Sequence, residues 1–555
     1  MAKLATLLFG LLTLPLASQA LAAQSMSSMP TASSAIDPSE RLGTVSFPTS
    51  CAPGTQAAIN RGVALLHDFW YEEARSQFER IVKSAPACPI AHWGIAMSMF
   101  HQIWDRPDAE TMTAGWAEMK KAKALKPRTD REQGYIAALA DFYHPDARKF
   151  QARIDTYSAA MGRLYAKYPD DVDAGAFYAL SLLAAEEPGD TSLDQEHKAM
   201  AVLIPLYKKY PDNPGLVHYI IHSCDNPAMA ADGLAAANHY GEIAQSGPHA
   251  FHMPGHIYAR LGMWPQDIAS QLGSIKASEN ATAHGESGVM DEPHSYDFLA
   301  YAYLQSGQDP LAKAVLDQID APLKAIDSMG NGSNYMAGMV PYYRVKLPIF
   351  YDLEMRDWKA ASALEPAPGS SPDVSMLVYW ARAIAYGRMH QTDRARAELA
   401  LFDDAIAKLQ KSPDAYVADS TYVKIERGEM VAWTAFAAGN ELSALTAMRA
   451  AADLQDKVGQ GEVDIPAREM LADMELEFGH ARDALAEYQV ALKLSPNRFN
   501  GLYNAGRAAE AAGDASKARS YYAALLESTN DGKDSARPEL DHARNFVSAP
   551  QEAAK

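Results

Sequence analysis

No stretch of this 555-residue chain beyond its N-terminus reaches the roughly 18 apolar residues that a transmembrane helix needs. Alternating runs of β-branched residues, which are typical of strands, are also missing, so helix is the expected secondary structure. Charged residues make up 21% of the chain and the apolar class 48%. That composition excludes wholesale disorder and supports a sizeable core.

Motifs of several common enzyme classes are missing as well. The sequence has no Walker A loop, no G-x-S-x-G segment and no H-E-x-x-H segment. His218 and His222 have the H-x-x-x-H spacing but lack the adjacent Glu that serves as the protease base. The net charge of −19 disfavours nucleic acid and anionic lipid as partners. It favours cationic ligands or metals, or it simply keeps the protein dispersed.

The N-terminus has the features of a cleaved signal peptide. Lys3 precedes a short apolar run over residues 4–16, and Ala20 and Ala22 form an A-x-A cleavage pattern. We therefore predict a signal peptide at 1–22 and a periplasmic or secreted mature chain without stable membrane insertion. Residues 23–45 are rich in Ser, Met, Ala, Thr and Pro, which predicts a flexible linker.

A 34-residue period is visible near the C-terminus. Two sets of turn, small and aromatic residues follow one another at this interval: Gly479, Ala484 and Tyr488, then Gly513, Ala518 and Tyr522. This is the period of the tetratricopeptide repeat, in which a small residue lets two antiparallel helices approach and an aromatic ring fills the space beside it. The predicted fold is an all-α tetratricopeptide solenoid. We assign its N-terminal part to 46–320, its C-terminal part to 321–527 and a polar tail to 528–555.

The same period places two of the three cysteines, Cys51 and Cys88, at nearly equivalent levels of successive repeats. In an oxidising compartment such neighbours can form a disulfide. We predict that they pair and that Cys224 stays free.

Histidines repeat with the period too. A Pro, His, His triplet occurs twice, 34 residues apart: Pro214, His218 and His222, then Pro248, His252 and His256. Residues at i and i+4 share one face of a helix, and equivalent helices of adjacent repeats lie side by side. Four imidazoles are therefore expected to converge, which matches the ligand chemistry of Zn or Cu.

Three interpretations of this cluster stay open at this point. The first is a transition-metal site with His218, His222, His252 and His256 as ligands, and with His249, Asp225 and His294 as outer-sphere or alternative ligands. The second is a site for an organic or anionic ligand. The third is a hydrogen-bonded cluster with a purely structural role, because buried imidazoles need partners.

Several segments resemble a group of exported bacterial tetratricopeptide-repeat proteins. They are residues 91–97 (AHWGIAM), 218–225 (HYIIHSCD), 249–256 (HAFHMPGH), 465–471 (IPAREML) and 496–500 (PNRFN). The resemblance implies that the clustered histidines line the concave groove of the solenoid, and it implies no established activity. We expect a Cu- or Zn-binding protein that is either a carrier or, if a coordination position stays open, a metal-dependent enzyme. The alternative is a metal-free scaffold for a peptide or another partner.

Overall fold

α-Helices make up nearly all of the regular structure, and the described residues contain no β-strand. The computed structural model describes residues 39–549, apart from 105, 188–189, 329–333, 368, 413–414, 460–462, 534 and the side chains of 334–338. The predicted signal peptide and the predicted linker up to residue 38 lie outside this part. The prediction of an all-helical chain is confirmed over the described residues.

The helices follow one another with short turns between them. The first are α1 (Gln56–His67), α2 (Tyr71–Ser84), α3 (Pro89–Met97), α4 (Ala109–Ala124), α5 (Asp130–Phe142), α6 (Phe150–Lys167), α7 (Val172–Ala184), α8 (Asp194–Tyr207) and α9 (Pro214–Cys224). Next come α10 (Ala230–Ile243), α11 (Pro248–Arg260), α12 (Trp264–Ala283), α13 (Glu292–Gln305), α14 (Asp309–Gln318), α15 (Asp320–Ser328), α16 (Asn334–Glu354), α17 (Trp358–Ala361) and α18 (Pro372–Arg388). The last are α19 (Thr392–Leu409), α20 (Ala415–Ala418), α21 (Thr421–Ala437), α22 (Glu441–Val458), α23 (Ala467–Glu477), α24 (Ala481–Leu494), α25 (Phe499–Ala511), α26 (Ala515–Ser528) and α27 (Pro538–Ser548).

Each helix packs chiefly against the helices next to it in sequence, so the chain is an array of helix pairs. Alternate helices also touch: α7 contacts α9, α9 contacts α11, and α11 contacts α13. This arrangement agrees with an α-solenoid, in which equivalent helices of successive pairs lie side by side. None of the described helices is long and apolar enough to cross a membrane.

Small residues opposite aromatic rings allow the helices to approach closely. The Phe78 ring lies between Gly62 of α1 and Gly94 of α3, where an added Cβ would come within 2.7 Å and 2.4 Å of it. Near the C-terminus, Tyr488 and Tyr522 are fully buried. The large–small packing expected from the 34-residue pattern is therefore present at both ends of the array.

Distant parts of the chain also meet. The Trp264 indole N–H donates to the Asn497 carbonyl at 2.8 Å, and the Asn497 amide donates to the Gly262 carbonyl at 3.2 Å. Trp264 shares an apolar cluster with Val463. The segment after α11 thus contacts the segment before α25, more than 230 residues away in sequence.

The predicted boundaries differ from the structure in three places. Residues 40–45, predicted as linker, pack on the helices, since Leu42 is buried and the Gly43 amide donates to the Ile243 carbonyl at 2.9 Å. The predicted tail contains α27, whose Leu540 is buried because it completes the last apolar cluster. Another apolar cluster runs from 275 to 347 across the predicted 320/321 division.

Cys51 and Cys88 form a disulfide, with their Cα atoms 4.9 Å apart. Cys224 is free and buried in α9. Burial raises the pKa of the Cys224 thiol to about 12, so this group is a neutral, inert part of the core.

Candidate functional site

Three alternate helices, α9, α11 and α13, carry a continuous set of histidines. Each helix has a proline in its first turn, at Pro214, Pro248 and Pro293. Proline suits this position because its fixed φ matches the helix and its missing N–H would have no intrahelical partner there. The three helices therefore begin at matched points, which aligns the histidines that follow.

The first histidine group consists of His218 and His222 from α9 and His249 from α11. One ring nitrogen from each lies within 4.8 Å of the other two. His218 is 0% exposed and His249 4%. The Nε2 atoms of all three rings are buried and have no hydrogen-bond partner within the described part of the chain.

The second histidine group consists of His252 and His256 from α11 and His294 from α13, again with ligand atoms within 4.8 Å of one another. The Nε2 atoms of His252 and His256 face each other at 2.7 Å. The His294 Nδ1 lies 3.0 Å from the Tyr343 hydroxyl oxygen. His252 and His256 are nearly fully buried.

Hydrogen bonds to the outer ring nitrogens determine the tautomers. The His218 Nδ1–H donates to the His67 carbonyl at 2.6 Å, because a carbonyl can only accept. The His256 Nδ1–H donates to Asp225 at 2.8 Å. Burial alone would raise the pKa of Asp225, but Arg260 and His256 hold it well below its usual range, so the group is a carboxylate. The neutral His218 ring therefore keeps its lone pair on Nε2, and the Nδ1 of His256 is occupied by Asp225.

His252 receives the same support from α12. The Gln271 amide nitrogen donates to Asp267 at 2.8 Å, which leaves the Gln271 carbonyl oxygen to accept from the His252 Nδ1–H at 2.7 Å. Gly255 allows this approach, because a Cβ at that position would lie 2.0 Å from the Gln271 amide nitrogen. An acceptor on the outer nitrogen of a histidine is the usual arrangement around metal ligands.

Four of the six imidazoles are held in the neutral form by burial. Burial, together with the neighbouring imidazoles, lowers the pKa of His218, His249 and His252 well below the ordinary value. Burial and the adjacent His256 lower the pKa of His222 to about 3. Neutral imidazole is the form that binds a metal ion, so these rings need lose no proton to bind one at neutral pH.

An aromatic side chain packs over the first group. The Phe69 ring stacks on His222 and His249 at centroid distances of 5.4 Å and 5.5 Å and meets His218 edge-on at 4.4 Å. Trp104 contacts His249 edge-on at 5.0 Å. Phe69 follows α1 and has a positive φ of 55°, an uncommon conformation for a bulky residue. Sequence reasoning missed Phe69, since nothing in its local sequence places it near α9.

A small pocket lies beside the second group. It is lined by His256, Arg260 and Phe298 together with Val463 and Arg498 from much later in the chain. The pocket exists because the segment after α11 contacts the segment before α25. The His256 ring forms part of its wall, and the enclosed space is large enough for about one water molecule.

The structure divides the four predicted ligands between the two groups. His218 and His222 lie in the first group, and His252 and His256 in the second. His249 and His294, predicted as outer-sphere or alternative ligands, each complete a group of three, whereas Asp225 lies outside and accepts from a ring.

A third group of metal-binding residue types lies at the start of α24, formed by Glu475, His480 and Asp483. It is partly exposed, and the His480 ring is already bonded to Glu475. It therefore lacks the unpartnered nitrogens of the first group.

No protein-family model matches the sequence, and a search of curated proteins finds no match either. The function is therefore inferred from the histidine groups themselves.

Proposed function

We propose that this protein is an exported tetratricopeptide-repeat protein that binds a transition-metal ion, Zn or Cu, through His218, His222 and His249. The observation that carries the proposal is the set of three buried Nε2 atoms without a partner among the described residues. Leaving a buried polar atom unpaired costs about 1–3 kcal/mol. A metal ion bound by all three Nε2 atoms would offset the cost at each of them.

The donor chemistry supports the choice of metal. Imidazole nitrogen suits Zn and Cu, whereas Ca and Mg prefer oxygen ligands. Three protein nitrogens leave the fourth position of a tetrahedral ion for water, as in catalytic zinc sites. Such an ion could activate the bound water, so a metal-dependent enzyme falls within the proposal, as does a metal carrier. The Cys51–Cys88 disulfide agrees with an oxidising, exported location.

A single ion bound by His218, His222, His252 and His256 is the competing arrangement, and His249 distinguishes the two. In the three-histidine site His249 is a ligand, whereas in the four-histidine site it is an outer residue. The proximity of His249 to His218, with ring centroids 5.0 Å apart, favours the first.

The test is elemental analysis and zinc or copper titration of protein purified without a His tag. The wild type should bind metal, and His249→Ala should lower its affinity far more than His197→Ala. His197 is an exposed residue of α8 and serves as the matched control. Retention of wild-type affinity by His249→Ala would support the four-histidine arrangement. Absence of any metal binding would leave the metal-free partner-binding scaffold as the function.

A further inference from the structure

We infer that the second histidine group, His252, His256 and His294, binds a second transition-metal ion, so that the protein contains two adjacent metal sites. This inference rests on the proposed function of the first group. The second group differs from the first in bordering a small pocket, which its His256 lines.

The contact between His252 and His256 is the first observation. Their Nε2 atoms are 2.7 Å apart, and both outer nitrogens donate, one to Gln271 and one to Asp225. Because both Nδ1–H groups are already used in these hydrogen bonds, the two Nε2 lone pairs face each other. Such a pair is stable at this distance only with a cation between the two atoms, either a proton or a metal ion. Two nitrogens bound to one tetrahedral zinc ion lie about 3.3 Å apart, so a small outward movement of the rings admits the ion.

A third ligand and an outer anion complete the second group. The His294 ring lies 4.3 Å from the His252 ring and 5.6 Å from the His256 ring, measured between centroids. It comes from α13, so the group joins two neighbouring helices of the array. The Asp225 carboxylate places a negative charge behind His256, which makes that ring a better metal ligand.

The two groups adjoin each other on α11. His249 of the first group and His252 of the second are three residues apart, about one helical turn, and their ring centroids are 5.8 Å apart. Ions bound in both groups would therefore lie side by side. Paired metal sites of this kind can act together on one small ligand.

The pocket distinguishes the two sites. Aromatic rings pack against both groups, Phe69 on the first and Phe298 on the second, but the small pocket is lined by His256 of the second. An ion in the second group would therefore be the one that borders this pocket. Arg260 lines the same pocket, where it is ion-paired with Asp225 at 2.9 Å.

Metal stoichiometry tests the second site. Tag-free wild type should bind two zinc ions per chain, and His222→Ala and His294→Ala should each bind one. His294→Gln retains a polar side chain beside Tyr343 and should also bind one, and His197→Ala should bind two. Circular dichroism establishes that each variant is folded.

The possible results separate the two proposals. One ion in the wild type, lost in His222→Ala and unaffected by His294→Ala, would mean that His252 and His256 share a proton. That result would overturn the second site and leave the proposed function intact. Loss of all metal in both single variants would indicate one site spanning the groups and would also overturn the inference. No metal in the wild type would refute both proposals.

Access is tested with cobalt(II) in place of zinc and azide as the anion. Azide should change the cobalt absorption bands of His222→Ala, which retains the second site, and should leave those of His294→Ala unchanged. An equal azide response in the two variants would refute the expectation that the pocket makes the second ion the accessible one.

Discussion

Replacing His222 with leucine should stabilise the metal-free protein. The His222 Nε2 is buried without a partner, and no hydrogen bond to its ring is formed by any residue that the structure describes. Leucine therefore removes an unpaired polar atom and leaves no partner unsatisfied in its place. Phe69, which stacks on the His222 ring at 5.4 Å, would pack on the new apolar side chain instead.

The expected gain follows from the cost of one unpaired buried group, about 1–3 kcal/mol. Unfolding entropy is about 2.1 cal/mol/K per residue, which amounts to about 1 kcal/mol/K for roughly 500 residues. If the array unfolds cooperatively, His222→Leu should raise the melting temperature in EDTA by about 1–3 °C. His197→Leu, an exposed substitution, should change stability by less than about 0.5 kcal/mol.

Added zinc should make the wild type more stable than His222→Leu, the reverse of their order in EDTA. At a free zinc concentration about a hundredfold above the dissociation constant, the wild type gains about 2.7 kcal/mol by mass action, or about 2–3 °C on the same scale. His222→Leu should lack this gain from the first ion, whereas an ion bound by the second group would stabilise both proteins equally. Calorimetry with EDTA and then with zinc measures both effects. If His222→Leu melts below the wild type in EDTA, the Nε2 atom is satisfied in the metal-free protein and the reasoning is wrong.

The remaining predictions concern other parts of the molecule. Asp225→Asn should lower affinity for the second ion about 10- to 100-fold in a zinc titration, and an unchanged affinity would contradict its role behind the ring. Cys51→Ser/Cys88→Ser should lower the free energy of unfolding in urea by about 3–4 kcal/mol, because the disulfide closes a loop of 37 residues; equal stability would refute this. Burial raises the pKa of Glu426 from 4.5 to about 8, so folding binds a proton there and stability falls as pH rises through this window. Glu426→Gln should therefore gain stability relative to the wild type between pH 5 and pH 8 in denaturation at each pH, whereas the exposed Glu110→Gln should not.

The repeat could be predicted from sequence because its causes are local. Gly479 and Gly513 have positive φ values of 90° and 78°, as expected of glycines that end one helix and turn the chain into the next. Tyr488 and Tyr522 are buried at equivalent positions of successive pairs. These features depend on residues within one or two helical hairpins, and a 34-residue window contains all of them.

The candidate site could be predicted only in part. The i, i+4 spacing and the 34-residue interval place His218, His222, His252 and His256 on facing helices. They do not show how the rings divide between two groups. That division depends on the rotation of each helix about its axis, which is set by the packing of α10 and α12 between the histidine helices.

Periodicity along the chain determined the helices, their pairing and the shared face of the histidines, because each depends on intervals of 3.6 or 34 residues. Tertiary structure alone decided that Phe69 packs on the first group and that Arg498 lines the same pocket as His256. Each brings together residues separated by about 150 positions or more. They depend on the path of the whole array, in which small rotations between successive helix pairs add up along the chain. No local sequence pattern predicts the total rotation.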